Sequence, residues 1–298
     1  MKLLTCKKQI DGYSSATYLL WETSDHNLVE SSILYIHGRS VPWVFCLPSS
    51  VGCRFGCRIC AMPKENSPAL LEKSQLQEIF EYSITTQRTE AEAFQVSFMG
   101  QGEPFLNTKN IFEFCSGLYK NFPCVTIGIS TVGIADGIRA LASEVWAKCV
   151  KLQLSLHCWP PEKREQIIPA ERQYPVEKAL FESIHFAKKW GRKCCLNCAL
   201  LYGVNDSLED AQHIAEIAAN GPFYVKVSQF NPHSNCIFKP VSEEQVIRYC
   251  EIIAQNNIEV HQFRSIGTSI GAGCGQTKLV SERVLRDMNF SFGEIVNV

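Results

Sequence analysis

The chain lacks an excess of charge of either sign: 29 Lys and Arg stand against 30 Asp and Glu in 298 residues, a formal net charge of -1. A global basic field able to hold a polyanion is therefore excluded, and any nucleic-acid contact has to be local. No apolar run reaches the roughly 18 residues needed to span a bilayer, so no membrane association is expected. The opening Met-Lys-Leu-Leu-Thr-Cys-Lys-Lys has no signal-peptide apolar core. Low-complexity tracts, internal repeats and linker-like stretches are also missing, so nothing marks a second domain. A hydrophobic content of 46% suffices for one full-sized core.

Cysteine is the residue in abundance. Fifteen cysteines would suggest disulfides in a small secreted protein, but an odd count in a large chain without a signal sequence points to a reducing, cytoplasmic setting. Three of them, Cys53, Cys57 and Cys60, have the spacing C-x3-C-x2-C on a short loop that follows the apolar run Trp43 to Leu47. Loop backbone can wrap a cubane iron-sulfur cluster and direct three thiolates to three of its irons. The fourth iron then has no protein ligand and is open to a small chelating molecule. Two other readings compete: three of four ligands of a structural zinc, or simply buried thiols. Against zinc, the only other close pair, Cys195 and Cys198, lies in an apolar run that reads as a strand.

Hydrophobic periodicity gives an α/β reading. Residues 1–45 form a small β extension, with strands at Ala16 to Thr23 and Ser31 to Ile36 around the turn Ser24-Asp25-His26-Asn27. From residue 46 to 298, strands and helices alternate. Helices are expected near Ser74 to Gln87, Thr108 to Lys120, Ile134 to Glu144, Val176 to Trp190, Leu208 to Ala219 and Ser242 to Gln255. Strands fall at Ala93 to Met99, Val125 to Ser130, Val150 to His157, Lys193 to Leu201, Tyr224 to Phe230 and Glu259 to Phe263, with a Pro-bounded charged excursion at 160–175. Six strand-helix repeats imply right-handed parallel crossovers and a partial (β/α)6 barrel with its chemistry at the carboxyl ends of the strands.

Polar motifs fall at those ends. Gly100 to Pro104 combines two glycines with Glu103, which could accept from an amino group on the open iron's ligand, though many βα turns look similar. Ser130, then Ser155 and His157, then Asn231 end successive strands. They could bind ribose hydroxyls or a carboxylate, or be satisfied core groups and a turn cap. Cys46 precedes the first cluster cysteine, and Cys274 sits between glycines in Ile-Gly-Ala-Gly-Cys-Gly-Gln, a setting that suits a sulfur which changes partners. The other ten cysteines read as buried or incidental.

The cysteine triplet after a strand resembles the radical S-adenosylmethionine (SAM) signature, with Ile59 where an aromatic residue is more usual. More closely, the chain resembles the RlmN and Cfr type of dual-specificity RNA methyltransferases. The likeness rests on Cys-Leu-Pro-Ser-Ser-Val-Gly-Cys at 46–53, Phe-Met-Gly-Gln-Gly-Glu-Pro-Phe-Leu-Asn at 98–107, Ile-Ser-Thr-Val-Gly at 129–133, Leu-Ser-Leu-His at 154–157, Tyr-Gly-Val-Asn-Asp at 202–206, Phe-Asn-Pro at 230–232 and Gly-Cys-Gly-Gln at 273–276. The resemblance implies a radical-SAM barrel in which Cys53, Cys57 and Cys60 hold a 4Fe-4S cluster. It places Gly102, Glu103, Ser130, Ser155, Leu156, His157 and Asn231 around SAM. Cys274 would carry a methyl group, Cys46 would resolve the intermediate through a Cys46–Cys274 disulfide, and Glu30 would be the general acid/base.

The implied reaction methylates an sp2 ring carbon of adenine in RNA, ribosomal or transfer, at a cost of two SAM molecules. An electron donor such as flavodoxin or ferredoxin is implied as well. Such a carbon is electrophilic and cannot attack SAM directly, which is why a radical route is needed. The family's usual N-terminal RNA-binding domain is not expected here, which keeps a free nucleotide, nucleoside or other small heterocycle open as the acceptor. A cluster- or zinc-bearing binding protein without catalysis is the third reading. Lys163, Arg164, Arg172 and Lys189 are candidate RNA contacts.

Overall fold

The computed structural model describes residues 1–62, 64–87, 93–233, 236–273, 275 and 276. Among the described residues ten strands form one sheet in chain order. The first three, β1 (Lys2–Asp11), β2 (Ser14–Glu22) and β3 (Leu28–Tyr35), run antiparallel to their neighbours, and β3 also pairs antiparallel with β4 (Trp43–Cys46). From β4 onward every pairing is parallel, through β5 (Phe94–Phe98), β6 (Thr126–Thr131), β7 (Val150–Ser155), β8 (Cys194–Leu200), β9 (Phe223–Gln229) and β10 (Val260–Phe263). Helices make the crossovers: α1 (Lys73–Gln87), α2 (Thr108–Asn121), α3 (Ala135–Ser143), the short α4 (Pro161–Glu165) with α5 (Val176–Trp190), α6 (Leu208–Ala219) and α7 (Glu243–Gln255). The α/β partial barrel is the architecture expected, with β1 to β3 continuing its sheet.

Local chemistry fixes the helix bounds. Ser207 and Ser242 each close a capping box, with Asp210 and Gln245, at the starts of α6 and α7. The end of α5 is set by Gly191 in the left-handed region, φ 60°. The strand missed by the sequence reading is β1. Its Lys-rich face is largely exposed at the sheet edge, so it lacks the alternation that announces a half-buried strand.

Two-residue alternation along the parallel strands separates two chemistries. Phe45, Phe94, Val96, Ile127, Leu152 and Leu196 are buried in one continuous core. Their neighbours Cys46, Gln95, Ser130, Gln153, Asn197 and Lys226 instead line cavities. A closed eight-stranded barrel fills its interior with branched apolar side chains; this open barrel lines its interior with polar ones around a hollow.

A second, smaller core lies on the extension. Ala16, Tyr18 and Leu20 of β2 pack with Ala272, flanked by Leu34, Ile266 and Ile270. The extension thereby seats the segment that leads to position 274.

Of the four cations read as possible RNA contacts, Arg164 is a correction: it is 0% exposed. Its guanidinium pairs with Glu171 and donates to the carbonyls of Leu156 (3.1 Å), Val132 (2.5 Å) and Ser155 (2.7 Å). A Pro-bounded charged segment resembles solvated surface in sequence, but a guanidinium has enough donors to satisfy three loop carbonyls and a carboxylate at once. Lys163 and Arg172 are engaged by Asp210 and Glu165, while Lys189 is exposed beside the Trp190 ring. Removing one partner of a buried ion pair strands the other. Arg164→Met is therefore expected to cost about 3–5 kcal/mol in denaturant unfolding, with part of the loss recovered in the Arg164→Met/Glu171→Gln double variant. A change under about 1 kcal/mol, the range of an exposed pair, would contradict this role.

Candidate active site

The loop between β4 and α1 is held from several sides. Leu47 and Ser49 donate backbone N–H bonds to Ser97 and Gln101 carbonyls at 2.8 and 2.7 Å. Arg58 N–H reaches the Ile167 carbonyl at 2.9 Å, and Ala61 N–H reaches the Gly275 carbonyl at 2.8 Å. Asn107 is buried below and donates to the carbonyls of Ser49 and Leu71 at 2.9 and 2.8 Å. Gly102 closes the facing turn with φ 87°, and a Cβ there would collide with the Ser50 and Ser49 hydroxyls, so only glycine fits.

Cys53, Cys57 and Cys60 all line one cavity of about 230 Å3 at the carboxyl ends of the strands. Burial raises the Cys57 thiol well above its ordinary value, and the neighbouring Cys60 and Cys53 raise it further. Around Cys53, backbone N–H groups of Phe55, Arg54 and Gly56 oppose the effect of burial. Such donors stabilise thiolates bound to iron. Among the described residues no three His, Cys, Asp or Glu side chains are grouped as a single metal ion needs; thiolates meant for separate irons need not converge on a point. Cys195 and Cys198, three apart on β8, point to opposite faces of the sheet, so they offer no second zinc pair. The residues present fit a cluster held by Cys53, Cys57 and Cys60.

Most of the expected cofactor residues share that cavity. Gly102 and Glu103 face it, as do Ser130, Ser155, His157 and Asn231. Leu156 is fully buried in the apolar core and does not line it. Glu103 accepts from the N–H groups of Val132 (2.9 Å) and Phe105 (3.2 Å), yet burial dominates and lifts its carboxyl to about 7. His157 has φ 63°; its Nδ1 accepts from Ala199 N–H at 3.1 Å, and burial lowers its basicity to about 3, so the ring is neutral. Asn231 donates to Ser265 at 2.8 Å, tying the end of β9 to the segment beyond β10.

Cys46 lines a second cavity of about 610 Å3 inside the barrel. The two cavities meet at Met99, Gly100, Lys226, Phe263 and Gly275, which line both. Cys274 lies outside the described residues, but its flanks Gly273 and Gly275 both line the second cavity. Glu30 lines neither; it is buried, accepts from the Tyr18 hydroxyl at 2.7 Å and holds Gln101 through its backbone N–H at 2.5 Å. It shares a sheet face with Ser32, the register partner of Cys46.

Sequence reasoning overlooked two supports. Asn205 is fully buried, accepts from Leu201 N–H at 2.7 Å and donates to the carbonyls of His157 and Ala199 at 2.7 and 2.9 Å, clamping the ends of β7 and β8. Its motif Tyr-Gly-Val-Asn-Asp was the available signal. The other is the Gln153–Lys226 pair, 2.6 Å apart across the interior, for which only strand alternation gave a hint.

A partial barrel with three loop cysteines at its carboxyl mouth defines a radical SAM enzyme. A family described as a 4Fe-4S single cluster domain matches residues 43–154. The crystal structure of a radical SAM methyltransferase from Sphaerobacter thermophilus superposes with a TM-score of 0.81 at 26% identity, over 92% of this chain and 80% of that one. A probable dual-specificity RNA methyltransferase RlmN from Thermotoga sp. (strain RQ2) is 34% identical over 94% of this chain and 80% of its own length. The Caldicellulosiruptor saccharolyticus protein of the same name is 32% identical over 93% and 79%. This chain belongs to the RlmN family of dual-specificity RNA methyltransferases. It is a SAM-dependent methyltransferase whose cofactors are a 4Fe-4S cluster and SAM.

The family resemblance implies that Glu103 accepts from the SAM amino group, a contact that is strongest to the ionised carboxylate, and burial keeps the carboxyl protonated below about pH 7. SAM affinity of the cluster-loaded protein is expected to rise about tenfold from one pH unit below that value to one unit above, and the step should vanish in Glu103→Gln. An identical pH profile in wild type and variant would exclude this role.

Proposed function

We propose that the chain methylates an sp2 ring carbon of adenine in RNA through an S-methylcysteine at Cys274 that is resolved by Cys46. The observation that carries this reading is the position of Gly275. Directly beside Cys274 in sequence, it lines both the cluster cavity and the Cys46 cavity, and its carbonyl accepts from Ala61 N–H of the cluster loop at 2.8 Å.

When bound, the cluster supplies the electron that splits SAM to methionine and a 5'-deoxyadenosyl radical. The chain's own residues do the rest. Cys274 thiolate takes the methyl group of a first SAM by displacement, releasing S-adenosylhomocysteine. Loss of one hydrogen atom to the radical from a second SAM leaves a carbon radical on the Cys274 sulfur, which adds to the ring carbon. One electron then passes back to the carrier that supplied the electron for SAM cleavage, and the ring proton departs to Glu30, on the sheet face of Cys46's register partner. Attack by Cys46 thiolate on the Cys274 sulfur forms the disulfide, breaks the sulfur–carbon bond and leaves the electron pair on the new methyl carbon, which takes up a proton. A dithiol-level reductant reopens the pair. The cluster's electron comes from a donor of the flavodoxin or ferredoxin kind.

The relatives named as RNA methyltransferases support RNA as the acceptor. The near-neutral charge of -1 favours the second reading, a free nucleotide or nucleoside, because the chain as a whole carries no net positive charge to attract a polyanion. Labelled SAM with reductant and either total RNA or free nucleosides, followed by digestion and mass spectrometry, separates the two. Label is expected in an RNA adenine; label confined to free nucleosides would remove the RNA reading. Cys46→Ala is expected to accumulate substrate covalently held by Cys274, and Cys274→Ala to abolish methylation. Normal turnover by either variant would refute the assigned pair.

A further inference from the structure

The second cavity is larger than the cluster cavity, at about 610 Å3, and falls in the roughly 300–1,000 Å3 range of small-molecule sites. Its two ends differ. Among its lining residues Cys46 ends β4 at the carboxyl side of the sheet, whereas Lys151 and His261 each stand second in β7 and β10, at the amino side, and Arg39 lies in the β3–β4 loop that leads into the amino end of β4; Gly273 and Gly275 line it as well.

Between these ends the walls carry amide and aromatic groups. Gln153 donates to Met99 Sδ at 3.2 Å and accepts from Lys226 at 2.6 Å, while Lys226 also stands 5.0 Å from the centroid of the Phe263 ring. Gln95 and Tyr224 line the same space. Amide side chains can donate to ring nitrogens and accept from an exocyclic amino group, and the aromatic rings offer faces for stacking.

At the far end the ionic balance is uneven. The carboxylate in the lining, Glu259, is already engaged by Lys193 at 2.7 Å and His261 at 2.9 Å. Among the described residues, neither Arg39 nor Lys151 has a carboxylate in salt-bridge reach, since the ion pairs formed by described residues include neither. Arg192, anchored to the Val150 carbonyl at 2.9 Å, adds a third cation nearby. Desolvation lowers the Lys151 ammonium's hold on its proton, and the charges of Arg39 and Arg192 lower it further. An anion among these groups would relieve their repulsion.

We propose that this cavity receives the acceptor as a phosphorylated adenine nucleotide, its base toward Cys46 and Gly275 and its phosphate against Arg39 and Lys151. The inference rests on adenine being the acceptor, and it adds a phosphate clamp at the solvent-facing end of this cavity. The shared chemistry is a single nucleotide with its phosphate, whether free in solution or one residue of an RNA chain.

Calorimetric titration of the cluster-loaded protein with AMP, adenosine and a short adenine-containing RNA tests it without turnover. AMP is expected to bind at least about tenfold more tightly than adenosine, with added salt eroding the difference. Because Arg39 and Lys151 are exposed to solvent, the Arg39→Gln/Lys151→Gln variant should fold. It should bind AMP about tenfold more weakly and adenosine as before. Displacement of AMP by the RNA would identify the RNA chain as the source; tight AMP binding unaffected by RNA would identify the free nucleotide. Equal affinity for AMP and adenosine, or AMP binding indifferent to the double substitution, would overturn the clamp. Reductive SAM cleavage by the wild-type protein is read separately, so failure of the radical methyltransferase reading is distinguishable from failure of the clamp.

Discussion

The strict two-residue alternation of side chains along seven parallel strands is the constraint on which this structure depends. It sends Phe94, Val96, Ile127 and Leu152 under the helices, and it leaves Gln153, Asn197 and Lys226 facing the interior. A one-residue slip of any strand would exchange the two sets, burying amides and an ammonium in the core and opening apolar side chains to the hollow. The register that makes the core stable is therefore also the register that creates a polar chamber beneath the cluster loop.

The loops at the carboxyl ends are then locked by buried polar groups. Arg164 gathers the carbonyls of Val132, Ser155 and Leu156, and Asn205 gathers those of His157 and Ala199. These groups fix the backbone on which Ser155 and His157 stand, and that of Val132, whose N–H donates to Glu103. The small core of Ala16, Tyr18, Leu20 and Ala272 does the same for the C-terminal segment. The β extension is thus a platform that holds Ile266, Ile270 and Ala272 in place.

Much of this was legible in the sequence, for physical reasons that can be named. Helices α5 and α6 have the bounds read from periodicity because Pro175, Gly191 and Ser207 punctuate them. The cluster loop was legible because three sulfurs at that spacing have few other uses. β1 was not, since an exposed edge strand needs no apolar alternation. Arg164 was misread because a charged residue in sequence does not reveal carbonyls brought to it from the ends of two separate strands, β6 and β7. Leu156 sits in a motif whose backbone borders the site while its side chain faces the core, a distinction that motif matching does not make. The cationic end of the inner cavity was invisible for a related reason: Arg39, Lys151 and Arg192 are scattered in sequence and meet only when the sheet curls.

The central claim is that the transferred carbon passes through a cysteine and loses a hydrogen atom on the way. The most direct measurement uses SAM with a fully deuterated methyl group, followed by mass spectrometry of the methylated product and of 5'-deoxyadenosine. The account predicts a product methyl that retains two of its three deuterium atoms and 5'-deoxyadenosine that gains one. A product that keeps all three, with no deuterium in 5'-deoxyadenosine, would mean direct displacement and would contradict it.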